Sequence, residues 1–102
     1  MKWLGKKEIK VLKQLDQTLG IKDISIREYD FRLTLVKTAL SHSEVKQVYQ
    51  LCEQDYEIEI SIVETKFENN KEPKAELVIW LTPWKFLEKD ENGEYIINGG
   101  DI

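Results

Sequence analysis

Leu77-Val78-Ile79-Trp80-Leu81-Thr82-Pro83-Trp84 is the one strand-like run in this chain that is apolar on both of its alternating faces. Successive side chains of a strand point to opposite sides, so a strand with solvent on one side carries a polar residue at every second place. A run that breaks this rule is either covered twice within the fold or presents one face to a partner. Pro83 has no amide hydrogen to give to a ladder, so the regular strand is expected to stop at Thr82.

The segment before it supplies a natural hairpin mate. Tyr56, Ile58, Ile60 and Ile62 alternate with Glu57, Glu59 and Ser61, the most regular period of two in the sequence. A polar loop with turn chemistry, Glu68 to Pro73, links the two strands. Cross-strand partners share a face, so pairing Ile62 with Ile79 and Ile60 with Leu81 turns Ala75, Leu77, Ile79 and Leu81 inward. Val63, Phe67, Val78 and Trp80 then point outward, with Val63 opposite Val78, Trp84 beyond the strand end, and Glu57, Glu59 and Glu76 as a charged rim.

Upstream, Leu4, Val11, Leu12, Leu15 and Leu19 share one helical stripe that only Glu8 interrupts, while Lys6, Lys10, Lys13 and Gln17 take the other side. The spacing predicts a helix from about Lys6 to Leu19, closed by Gly20. Ile24 and Ile26, then Phe31, Leu33 and Leu35, alternate with polar residues and predict two half-buried strands turning at Glu28 to Asp30. Ser41-His42-Ser43-Glu44 has the spacing of a capping box. A second helix follows, with Val45, Val48, Tyr49 and Cys52 on its apolar side and an end near Asp55.

Asn92-Gly93 is a strong hairpin signal, which could fold Tyr95, Ile96 and Ile97 back toward Trp84 to Leu87. Either that tail covers the outward face around Trp80, or another molecule does. The expected fold is therefore α+β: a four-stranded antiparallel sheet with two helices on one face, in the order α-β-β-α-β-β, plus a C-terminal hairpin. A circularly permuted ferredoxin-like connection is one topology that fits this order. Residues 1–97 are expected to form one domain, and 98–102 a frayed tail.

Composition narrows the function by exclusion. At 41% hydrophobic and 33% charged, with 5 Gly and 2 Pro, the chain reads as an ordinary globular domain. It has no apolar run of membrane-spanning length and no signal-peptide pattern, so a cytoplasmic location is expected. One cysteine, Cys52, and one histidine, His42, give neither an internal disulfide nor a Cys/His metal site. On one helix these two would lie roughly 15 Å apart, too far for a nucleophile–base pair. Glu57, Glu59 and Glu76 would share a sheet face, but alternating acids are the ordinary dress of a solvated face. With no Gly-rich phosphate loop either, the chain is expected to be neither an enzyme nor a cofactor binder.

Two binding readings remain. Residues 1–43 hold nine basic against five acidic side chains, and residues 44–102 hold six against fourteen. The basic half centres on Lys6, Lys10 and Lys13, a stripe that could meet the phosphates of a nucleic acid, although a pI near 5.1 argues against it. The apolar outer face of Val63, Phe67, Val78, Trp80 and Trp84 is the preferred site. It suits another protein or a second copy of the chain, because Trp is among the residues most enriched at binding hot spots.

Overall fold

A computed structural model describes residues 4–65 and 74–97. Phe67, the loop from Glu68 to Pro73 and the tail 98–102 lie outside them. The elements are α1 (Lys6–Leu19), β1 (Ile21–Ile26), β2 (Phe31–Leu35), α2 (His42–Cys52), β3 (Tyr56–Thr65), β4 (Lys74–Pro83), a single 3-10 turn at Trp84–Phe86, and a hairpin of β5 (Leu87–Lys89) and β6 (Tyr95–Ile97). Strands β1 to β4 form one antiparallel sheet in the order β1-β2-β4-β3, and β5 and β6 form a second sheet of two. The α+β reading and the order of elements hold.

Each helix is ended by chemistry visible in its residues. The Glu8 carboxylate reaches back to the Gly5 amide at 2.8 Å, which explains the one acid on the apolar stripe of α1: it caps an otherwise free N–H. Gly20 sits at φ +78°, where a side chain would be strained, and its amide closes the helix on the Asp16 carbonyl at 2.9 Å. In α2 the capping box is complete, with the Glu44 amide on Ser41 Oγ (3.1 Å) and the Ser41 amide on Glu44 Oε1 (2.9 Å). Lys37 pairs with the other Glu44 oxygen, and these donors hold the Glu44 carboxyl below its ordinary range, Lys37 foremost.

The core lies between the helices and one face of the sheet. Val11, Leu12, Leu15 and Leu19 of α1, with Val48 and Cys52 of α2, pack on Phe31, Leu33 and Leu35 of β2, Tyr56 of β3, and Leu77, Ile79 and Leu81 of β4. Four expected inward positions depart from this: Ala75 near the start of β4 and Ile24 on the edge strand β1 are exposed, as are Tyr49 and Ile62. Tyr49 is 40% exposed because it stands at the flank of the α2 stripe, and Ile62 is 65% exposed although it lies on the inner face. Ile62 pairs with Leu77 near the far end of β3, where its chain neighbours Val63 and Glu64 are also at least partly solvated.

The β1–β2 turn closes without Gly or Asn. The Arg27 amide donates to the Asp30 carbonyl at 2.9 Å, Arg27 Nε lies 3.0 Å from Asp30 Oδ1, and Tyr29 packs edge-on against Phe86 at 5.7 Å. At the Asn92-Gly93 turn, Asp90 Oδ1 accepts from the Asn92 and Glu94 amides, each at 2.9 Å, so the loop is wider than a two-residue hairpin.

Two expectations about the main hairpin need correction. Ile62 faces Leu77 and Ile60 faces Ile79, a shift of two residues from the expected register. Such a shift keeps every apolar side chain on its face, so the hydrophobic pattern cannot choose between the two registers. The ladder also runs one step past Thr82, with Pro83 opposite Tyr56. The C-terminal end of β4 lies beside the start of α1, since Pro83, Lys7 and Glu8 line one cleft. A direct link there would restore a β-α-β-β-α-β chain, and the strand order β1-β2-β4-β3 is the one that a permuted ferredoxin-like sheet requires.

Candidate functional site on the helix-free sheet face

On the face turned away from the helices, the pairing lays residues out in rows across the strands. One row reads Ser25, Arg32, Trp80, Glu59 from β1 through β2 and β4 to β3, and the next reads Asp23, Thr34, Val78, Ser61. Glu57 stands beside Thr82, and Val63 beside Glu76. Trp80 is half-buried at the centre of this face. The guanidinium carbons of Arg27 and Arg32 both lie 5.2 Å from its ring centroid, within cation–π range.

This differs from the apolar patch expected on that face. Val78 is fully buried and offers no contact surface, because a short side chain in a central strand sits below the longer Trp80 and Glu76 on either side. Val63 is half-buried and four residues along β3 from Glu59, about 13 Å at strand spacing, since the two-residue shift puts Ser61 opposite Val78 instead. Trp84 does not join the face. Its indole N–H donates to the Glu53 carbonyl at 2.9 Å, and its ring meets Tyr95 at 5.2 Å. Of the five expected interface residues the structure thus keeps Trp80 at the centre and Val63 at the margin, buries Val78, and places Trp84 elsewhere; Phe67 lies outside the described residues.

What the sequence reading missed is arginine. Arg32 and Arg27 come to Trp80 through the β2–β4 pairing and the β1–β2 turn, and no local pattern announces either. Arg32 Nε is buried without a hydrogen-bond partner. Glu59 is exposed in the same row, while Glu76 faces Lys22 at 3.6 Å. Among the described residues no three acidic, His or Cys side chains gather as a metal site would need.

The C-terminal hairpin has its own position. Tyr95 goes to Trp84, and Tyr95, Ile96 and Ile97 remain 46%, 44% and 52% exposed in a sheet separate from the Trp80 face. Lys6, Lys10 and Lys13 line an open surface of α1 with Ile9, Gln14 and Gln17, and none of the three pairs with an acid among the described residues. Lys7 points to the other side of the helix and binds Asp55 at 2.8 Å. That pair lines a cleft of about 280 Å³ with Tyr56, Trp84 and Lys85. His42 is exposed in the first turn of α2, and Cys52 is fully buried in its last.

No family model, no curated protein and no solved structure matches this chain. No helix among the described residues is long and apolar enough to cross a membrane. The chemistry of the Trp80 face therefore has to carry the functional reading by itself.

Proposed function

We propose that this chain is a small non-enzymatic binding protein that acts through protein contacts made by the helix-free sheet face around Trp80. The observation that carries the reading is the pairing of Trp80 with Arg27 and Arg32 at 5.2 Å, because Trp and Arg are two of the three residue types most enriched at interface hot spots. A ring held by two guanidinium groups is ordered before a partner arrives, so little side-chain freedom is lost on binding. Ser25, Thr34, Ser61 and Thr82 leave small polar neighbours beside the tall Trp and Arg, and Glu57 and Glu59 add charge at one edge. Trp80→Ser is expected to keep the far-ultraviolet circular dichroism of the fold and to abolish self-association or partner capture. If both persist in a folded variant, the face is not the interface.

The stripe of Lys6, Lys10 and Lys13, which pairs with no acid among the described residues, supports a second reading, association with nucleic acid. Three lysines neutralising three phosphates give a log–log salt slope of only about −2 to −3. A gel shift at low and at moderate salt tests it. Salt-sensitive retention that Lys10→Glu removes supports nucleic-acid association, and no retention at low salt ends it.

A further inference from the structure

We infer that the partner of the Trp80 face is a second copy of this chain, seated face to face about a two-fold axis parallel to the strands, so that Arg32 of each copy meets Glu59 of the other. The inference rests on the reading of this face as a protein-binding surface and assigns its occupant.

The argument is one of charge and symmetry. Trp80 lies on β4 with Arg32 directly on one side, on β2, and Glu59 directly on the other, on β3. A two-fold rotation about an axis along the strands and above Trp80 leaves height along the strand unchanged and exchanges the two sides of β4. Each Arg32 then comes opposite the other copy's Glu59, twice per dimer, while Trp80 meets Trp80. In the next row Thr34 comes opposite Ser61. An axis perpendicular to the strands would instead set Arg32 against Arg32 and Glu59 against Glu59. In the Trp80 row the charges are complementary about the first axis and alike about the second, and the first gives aligned sheet-on-sheet packing, a common way for two sheet faces to meet. Two-fold dimers are also the commonest closed assemblies.

The individual groups fit the arrangement. Sheets stack about 10 Å apart, which Arg and Glu side chains bridge from opposite faces. The guanidinium of Arg32 already stands over Trp80, which holds it on this face. Its planar fork of donors suits a carboxylate held two-pronged. Glu59 is exposed and forms no ion pair with a described residue. Two other acids on this side of the sheet are already compensated within one copy, Glu76 by Lys22 at 3.6 Å and Asp30 by Arg27 at 3.0 Å.

The test uses the full chain in light scattering over a concentration series, with Arg32→Glu and Glu59→Arg. Wild type is expected at dimer mass, and each variant alone is expected to associate about tenfold or more weakly, because like charges then face each other. An equimolar mixture of the two variants is expected to recover the dimer, since in the mixed pair each charge of one copy meets its opposite on the other. A monomeric wild type, a single variant that dimerises as well as wild type, or a mixture of folded variants that stays monomeric overturns the assignment. Should Arg32→Glu fail to fold without its stack on Trp80, the exposed Glu59 decides: Glu59→Arg must break the dimer and Glu59→Gln must weaken it less. If the wild type is monomeric while Trp80→Ser still removes a contact with a different protein, the binding reading stands and the second copy is excluded.

Discussion

Phe31→Ala is expected to lower the free energy of unfolding by about 3–5 kcal/mol, the usual cost of emptying a buried aromatic site. Phe31 is 1% exposed, its ring lies 6.3 Å from that of Tyr56, and its strand is paired on both sides, to Ile26 of β1 and Leu81 of β4. No neighbour is free to fill the space: Leu81 and Leu33 are fully buried themselves. A domain of this size holds about 5–15 kcal/mol in total, so the substitution removes about a fifth of the stability or more. With a urea slope of about 1–3 kcal/mol per molar, the midpoint falls by at least about 1 M. Ile62→Ala is the control, since Ile62 shares the inner face but is 65% exposed. Surface changes of this kind stay within about 0.5 kcal/mol. Equal losses for the two variants would mean that the helix-covered core extends further along β3 than its exposure pattern indicates.

That contrast also marks how far the sequence could be read. Periods of 3.6 and 2 located both helices and all four sheet strands, because the period follows directly from which face is buried. The ends of the helices were legible where a side chain does the capping, as at Ser41 and Glu44, or where only Gly is unstrained, as at Gly20. The inner set of Leu77, Ile79 and Leu81 followed from parity alone. Register did not, because a shift of two residues preserves parity and so costs the hydrophobic pattern nothing. Which residues stand side by side on the outer face depends on register, which is why Ser61 rather than Val63 lies beside Val78. Arg27 and Arg32 at Trp80 depend on more still, the neighbourhood of β2 and β4, which are far apart in sequence. Trp84 left the face for a similar reason: its indole bonds to a backbone carbonyl of the α2–β3 turn, a contact that no spacing encodes.

Cys52 should resist thiol reagents in the native protein and react fully once the chain unfolds. Its side chain is completely buried, and its pKa is pushed up to about 12, by burial first and by the charge of Asp55 second. Only the thiolate attacks an electrophile. Such a pKa leaves only a trace of thiolate near pH 8, before any barrier to access is counted. The native protein should therefore react through opened forms, at a rate set by how often the α2 end of the core comes apart. Phe31 and Cys52 belong to the same core cluster, so the unfolding and labelling experiments are linked. If Cys52 reacts only after global opening, each 1.4 kcal/mol lost by Phe31→Ala speeds labelling about tenfold, and about 3–5 kcal/mol speeds it by about two to three and a half orders of magnitude. If labelling of the variant accelerates by much less, the end of α2 opens locally while the sheet stays folded. Stoichiometric labelling of the native wild type within the time taken by a free thiol would contradict the burial itself.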